Sequence, residues 1–350
     1  IEIVGANFKI SGTGWEWSGE TKEVVVKQDT VVKFTQGIAG AFDEAGEEET
    51  EGGVSETEIH SDRLILRTTE EEYYFEFAGS VHAVSDQMDL KSGTLIALAD
   101  APEGRESSAV KATPSELDSI SQIIARDDVI IIQGGKTVKA DEAKFFPREQ
   151  LANLLGAASV ATTGAYLSGQ TIRSQSGEIE IAGAEAAGRA QMILTETGGL
   201  GILGASALTS ETIVLANTIT MREQPTENHF LFRGSVEVMS GAVRMQSAGM
   251  TIISKKVDQS GTTKEEDSDF KVGDVKNIVA DGGVSIEQSG QVATCEQVIF
   301  YPADERAVLT GDLQVTNGEA IVTGKSMELK PKLAIISGEA NDPVVVYLPE

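Results

Sequence analysis

IIARDDVIIIQGG (123–135) and IVADGGVSIEQSG (278–290) are one stretch written twice. Aligned, Val129 and Ile131 fall on Val284 and Ile286, whereas Ile130 and Ile132 fall on Ser285 and Glu287. Successive side chains of a β-strand point to opposite faces. Positions that stay apolar in both copies therefore face inward, and positions that turn polar face outward. Read alone, 129–132 is an unbroken apolar run whose two faces look the same. The second copy separates them, and period-two alternation ending in Gly is a strand pattern.

The duplication extends well beyond this stretch. At an offset of 155 residues, 58–195 lies on 213–350 without a gap, and about 25 of the 138 aligned pairs are identical. FEFAGSV (75–81) falls on FLFRGSV (230–236), ADEAKFFP (140–147) on CEQVIFYP (295–302), and NLLGAASV (153–160) on VLTGDLQV (308–315). GAYLSG (164–169) falls on EAIVTG (319–324), and IEIAG (179–183) on AIISG (334–338). The same argument turns Phe77, Val81, Ala140, Phe145, Val160 and Leu167 inward, with Phe232, Val236, Cys295, Phe300, Val315 and Val322 as their counterparts. Gly recurs at the expected strand ends, as Gly79/Gly234, Gly135/Gly290, Gly156/Gly311 and Gly169/Gly324, and Pro147/Pro302 mark matched turns. PREQLANLLGAA (147–158) has a helical look that its partner PADERAVLTGDL (302–313) lacks, so both are expected as a turn followed by a strand. Short helices are expected only around Ser115–Ile120 and Ala184–Ala190.

Composition agrees. In 350 residues, 40% are hydrophobic and 36 are Gly, which suits many short strands and tight turns. A net charge of −27 argues against nucleic acid and against adsorption to anionic headgroups, both of which need a Lys/Arg surface. One cysteine, Cys295, excludes an intramolecular disulfide. No run of 18 apolar residues is present, and any export signal is expected to lie outside this chain. The expected organisation is an N-terminal piece with an acidic loop (1–57), a first lobe (58–195), a connector (196–212) and a second lobe (213–350). The acidic stretch 42–58 and the matched polar stretches 103–119 and 258–274 are expected as loops.

Signals for chemistry are few. His60, His82 and His229 stand at no ligand spacing such as HxxxH, and none recurs as His in the other copy. GxSxG and Walker A patterns are absent, and TGGLGILG (197–204) has neither a Lys nor a helix pattern after it. Neither a cofactor nor a resident metal is expected. Cys295, aligned with Ala140, is expected as a small buried hydrophobe with a shielded thiol. Trp15 and Trp17 share one strand face, as a core cap or as an aromatic patch for a partner or sugar.

The pattern I-x-A-x-x-x-V-x-I-x-Q-x-G, then A-D-E-A-x-F-F-P, then L-x-G-x-x-x-V resembles the repeat of the OstA/LptA/LptC family of lipopolysaccharide-transport proteins. It reads here as IIARDDVIIIQGGKTVKADEAKFFP…LLGAASV (123–160) and again as IVADGGVSIEQSGQVATCEQVIFYP…LTGDLQV (278–315). FAGSVHAVSDQMDLKSGTLIA (77–97) and FRGSVEVMSGAVRMQSAGMTI (232–252) are similar to its other recurrent unit. The opening IEIVGANFKISGTGWEW…VVVKQDTVVKF (1–34) is similar to the start of LptC-like domains. The resemblance implies an all-β fold, an open twisted β-jellyroll in two tandem lobes. It implies a periplasmic, non-enzymatic carrier of lipopolysaccharide, or a related lipid, between inner and outer membrane. It implies joining to other Lpt-type jellyrolls, or to a second copy, by edge-strand addition. The expected lipid-lining residues are Phe77, Val81, Val129, Ile131 and Phe145 with Phe232, Val236, Val284, Ile286 and Phe300. The rival readings are a structural or adhesive envelope repeat with a solid core, and a carbohydrate-active β-solenoid enzyme.

Overall fold

The computed structural model describes residues 2–4, 8–34, 56–69, 72–85, 88–100, 120–162, 164–184, 188–194, 211–255, 275–318, 320–330, 333–338 and 343–347. Among them there is no α-helix; apart from two single 3-10 turns, Pro147–Glu149 and Pro302–Asp304, the regular structure is all strand and the pairing is antiparallel. The chain divides into two compact units, Ile1–Val160 with Thr171–Gly177, and Ala161–Gln170 with Glu178–Glu350.

Unit one holds β1 (Glu2–Val4), β2 (Phe8–Ser18), β3 (Glu23–Phe34), β4 (Thr57–Ser61), β5 (Arg63–Thr68), β6 (Glu72–Val84), β7 (Met88–Asp100), β8 (Ile120–Gln133), β9 (Lys136–Phe146) and β10 (Leu151–Ala161). Neighbours in sequence are neighbours in the ladder, with one exception. β4 and β5 lie end to end and together fill the rung between β3 and β6. The meander results from short hairpins such as Gly134–Gly135, both at positive φ, between β8 and β9.

Each long strand is folded at its middle. Gly79 and Ser80 in β6, Asp127 and Asp128 in β8, and Gly156 and Ala157 in β10 are consecutive left-handed residues. Two such residues stand opposite one on the next strand, so the β6–β7 register shifts between Ala78 and Val81 and the β8–β9 register between Arg126 and Val129. A bulge of this kind bends the strand and re-aims the residues beyond it. The halves on either side of the fold face each other. The Phe75 ring meets Phe8 and Phe34 of the opposite half edge-on, with centroids 6.3 and 6.1 Å apart.

Unit two takes Ala165–Gln170 of β11 (Ala165–Gln175), whose remainder belongs to unit one, and is built likewise from β12 (Glu178–Ala182), β13 (Ala190–Leu194), β14 (Thr212–Ala216), β15 (Thr218–Glu223), β16 (Glu227–Ser240), β17 (Val243–Lys255), β18 (Val275–Gln288), β19 (Gln291–Tyr301), β20 (Arg306–Thr316), β21 (Ile321–Lys330), β22 (Leu333–Ser337) and β23 (Val345–Tyr347). Ala165–Ser168 of β11 pair with β13, and the split rung β12/β13 pairs with the split rung β15/β14. From β16 to β21 the strands pair in sequence, and β21 carries β22 and β23 end to end. Its left-handed pairs are Gly234–Ser235, Gly282–Gly283 and Gly311–Asp312.

Strand bounds recur at the offset seen in the sequence. β4 begins at Thr57 and β14 at Thr212; the matching holds through β13 and β23, within a residue or two at some ends. The 3-10 turns match too, each closed by a left-handed residue, Gln150 and Glu305, so 147–158 and 302–313 are a turn and then a strand. Two expectations need correction. Gly79, Gly156, Gly234 and Gly311 are not at strand ends but at mid-strand folds, because a positive φ there makes a bulge and not a stop; Gly169 and Gly324 also lie within strands. The helix expected around Ala184–Ala190 is not formed by its described residues: Ala184 bridges Gly188 and Ala190 opens β13. The helix around Ser115–Ile120 lies outside the described residues except for Ile120, which opens β8. The loops at 103–119 and 258–274 also lie outside them, as do most of 42–58 and of the connector 196–212.

Candidate functional site

The two faces of β8 differ as the duplication requires. Val129 and Ile131 are buried, Ile130 is half-buried and Ile132 is 46% exposed. In β18, Val284 and Ile286 are buried, and Ser285 and Glu287 are not. All ten expected lining residues lie on inward faces, each at most 7% exposed.

In unit one the inward side chains form rows across the strands. One row runs Leu64–Phe77–Leu95–Ala125–Ala143. A second runs Leu66–Phe75–Ala97–Ile123–Phe145. On the other side of the fold, Leu90 stands opposite Ile131, and Val129 opposite Ala140. Unit two repeats this. Ile219–Phe232–Met250–Ala280–Val298 is one row and Phe230–Ile252–Ile278–Phe300 another, with Met245 opposite Ile286 and Val284 opposite Cys295. The structure thus gathers Phe77, Val81, Val129, Ile131 and Phe145 in the interior of unit one, and Phe232, Val236, Val284, Ile286 and Phe300 in that of unit two. It adds Leu64, Phe75, Leu95, Met245 and Met250, for which the same alternation in the sequence is the signal. Val315 and Val322, opposite each other, are only half-buried.

Polar groups enter this interior at the folds. The hydroxyls of Ser61, Ser92 and Ser247 donate to the carbonyls of Arg63, Thr94 and Gly249, each two residues on, at 3.0 Å. A buried carbonyl without a donor costs free energy, so a small side chain that folds back onto it is retained. The Cys295 thiol occupies this role, donating to the Gln297 carbonyl at 3.3 Å. Cys295 is buried, and burial pushes its thiol up to about 11. It is the shielded residue expected, with a hydrogen bond that its alignment to Ala140 does not announce.

The remaining candidates lie outside the interior. Trp15 is half-buried against Val26 and its Nε1 donates to the Gly12 carbonyl at 2.9 Å, while Trp17 is 68% exposed. Trp15 alone fits a core cap. His60, His82 and His229 are on outward faces, hydrogen-bonded to Glu58, Asp89 and Glu227. Among the described residues no helix is long and apolar enough to cross a membrane.

Residues 213–333 match the family model described as LptA/(LptD N-terminal domain) LPS transport protein. Over that stretch the chain is similar to this lipopolysaccharide-transport domain. The match begins at residue 213, immediately after Thr212 opens β14, and ends on Leu333, the first residue of β22. It supports a function in lipopolysaccharide transport at the cell envelope. A search of curated proteins finds no match to the chain. The matched stretch supplies apolar half-sheets folded toward each other, a dry face on each, and strand edges.

Proposed function

We propose that this protein is a periplasmic carrier that passes lipopolysaccharide, or a related lipid, between inner and outer membrane, its acyl chains lying against the inward face of each folded sheet. The observation that carries the reading is the inward face itself. Phe77/Phe232, Val81/Val236, Val129/Val284, Ile131/Ile286 and Phe145/Phe300 keep it apolar in both copies while their outward neighbours change freely. Each methylene moved from water to such a face contributes about 0.8 kcal/mol. Because these side chains fill the interior, an acyl chain enters by parting the two half-sheets and replacing side-chain contacts with its own. The folds at Gly79–Ser80 and Gly234–Ser235 are where the half-sheets turn toward each other. The lobes are taken as 58–195 and 213–350, joined by 196–212 and preceded by the LptC-like piece 1–57.

Joining to other Lpt-type jellyrolls, or to a second copy, belongs to the same reading. Among the described residues the outer edges of β22 and β23 have no strand beside them, and Leu333, Ile335, Val346 and Tyr347 are exposed there. Their counterparts β12 and β13 do have one, the split rung β15/β14. A partner would add a split rung of that kind, with main-chain bonds setting the register.

The solid-core reading has one observation in its favour, the close packing of the ten residues. A photo-crosslinking side chain at Val129, Val284, Ile130 or Ser285, with lipopolysaccharide supplied, separates the two. Carriage predicts crosslinks at the two inward sites and not at the two outward ones. Equal or absent labelling at all four would sink it.

A further inference from the structure

β22 and β23 end the ladder of unit two on an edge without charge. Both pair with β21, and among the described residues no strand lies on their other side. LAIIS (333–337) and VVY (345–347) hold no Asp, Glu, Lys or Arg. Ile336 stands opposite the buried Met327, so its neighbours Leu333 and Ile335 lie on the outer face, 53% and 45% exposed. Val346 continues the inward row Ile286–Ala293–Val315–Val322, which sets Val345 and Tyr347 on the outer face as well.

The first copy shows what such an edge carries where its neighbour is present. Leu333 and Ile335 fall on Glu178 and Glu180 of β12. On the outer face Glu178 stands opposite Arg222 of β15, with Arg222 Nε donating to its Oε2 at 3.0 Å, and Glu180 stands opposite Thr220. Charged side chains are also the usual protection of a strand edge that stays in water. β22 lacks the charge at both places, so its outer face suits an apolar neighbour and not a second β15.

We propose that this neighbour is the same edge of a second copy of the chain, related by a two-fold axis. β22 and β23 run in one direction, each antiparallel to β21. A two-fold copy reverses that direction, so its rung arrives antiparallel, as β15/β14 arrive at β12/β13. β22 then lies along β23 of the second copy, and β23 along its β22. Leu333 and Ile335 fall across from Tyr347 and Val345 of the second copy, while Ala334 meets Val346 on the inner face. Every contact occurs twice, as a self-complementary interface requires. Aliphatic and aromatic pairs across antiparallel strands are favourable ones. Charge selects this edge: each copy carries −27, so two copies repel wherever carboxylates approach, and two uncharged edges avoid that cost. The other edge without a neighbour among the described residues is β1 with the Trp15–Ser18 end of β2. It sets Glu2 and Glu16 on its outer face, a poorer match for Leu333 and Ile335. The inference rests on the reading of β22/β23 as a joining edge and narrows it to one partner in one closed arrangement.

Sedimentation velocity of the chain over a range of micromolar concentrations tests it. A monomer–dimer equilibrium is expected with nothing beyond the dimer, because a two-fold contact closes on itself. Leu333→Glu with Ile335→Glu, which restores the charges of β12, should weaken the dimer about a hundredfold, about tenfold for each of the two symmetry-related contacts. Ile132→Glu, on the outer face of β8 and 46% exposed, should leave it unchanged. All three side chains are exposed, so circular dichroism should be the same in every variant. The proposal is overturned if the natural chain stays monomeric throughout or grows beyond a dimer. It is also overturned if the double variant dimerises as tightly as the natural chain, or if Ile132→Glu weakens the dimer as much. Crosslinking of lipopolysaccharide at Val129 and Val284 can succeed in a monomer, so failure of the dimer and failure of carriage are read separately.

Discussion

Phe77 tests the inward face most directly. Its side chain is fully buried between Leu64 and Leu95, which stand opposite it on the two neighbouring strands and are themselves buried. Phe77→Ala removes the transfer free energy of most of a phenyl group, about 2 kcal/mol. Neighbours held on two ladders collapse little, and a residual cavity of about 80–100 Å³ at about 24 cal/mol per Å³ adds about 2 kcal/mol. The expected cost is therefore about 4 kcal/mol, on the order of a thousandfold in the folding equilibrium. Both tryptophans of the chain, Trp15 and Trp17, are in unit one, so their fluorescence reports its unfolding. With a urea slope of about 2 kcal/mol per molar, the midpoint should fall by about 2 M. Ile132→Ala, on the outward face of β8, should change stability by no more than about 0.5 kcal/mol. A Phe77→Ala shift under about 0.5 M would mean that the ring is not held in a packed interior, and the face assignment would fail.

Four further outcomes rest on particular contacts. Thiol labelling of native Cys295 at neutral pH should be slow and should accelerate in urea; fast labelling would show that its face is open. Cys295→Ser should fold with stability within about 1 kcal/mol of the natural chain, since the hydroxyl repeats the bond that Ser61, Ser92 and Ser247 make. Because burial raises the Cys295 thiol from 9.0 to about 11, its contribution is complete below about pH 9 and lost as pH rises through about 11. The stability gap between the natural chain and Cys295→Ser should hold steady from pH 6 to 8 and shift across pH 9–11; a flat profile would contradict the burial. Gly79→Ala should cost about 1–2 kcal/mol by urea unfolding, since φ is 80° there and the new Cβ meets the Asp62 carboxylate.

The sequence is most legible where two copies can be compared. Val129 and Ile131 separate from Ile130 and Ile132 only because Ser285 and Glu287 show which positions tolerate a polar group. PREQLANLLGAA loses its helical look on comparison with PADERAVLTGDL for the same reason. The folds are less legible. Asp127–Asp128 and Gly282–Gly283 hold the same left-handed pair, because Asp tolerates that region nearly as Gly does, yet as letters they share nothing. Gly79 and Gly156 read as strand ends because positive φ serves turns and bulges alike. That His60 and His82 stand opposite each other on the outer face is not legible at all. It depends on β4 pairing with β6 across the intervening β5, and neither histidine recurs in the second copy. Cys295 reads as small and apolar; its bond to the Gln297 carbonyl depends on a bulge that alignment with Ala140 conceals.

The split rungs have a consequence for growth of the fold. In unit two, β12/β13 receive β15/β14 by main-chain pairing, with the Glu178–Arg222 ion pair across it, and β22/β23 present the same two-part edge. From β14/β15 to β22/β23 there are eight rungs, about 34 Å at the usual spacing of strands. Such a junction asks only that the inward positions of the edge stay apolar, as Ile181 opposite Ile219 and Met192 opposite Val214 do. Reach can therefore be altered in steps of a whole repeat by copying the gene segment, without retuning any core. The interior and the length of the molecule are free to evolve separately, the first by substitution and the second by counting.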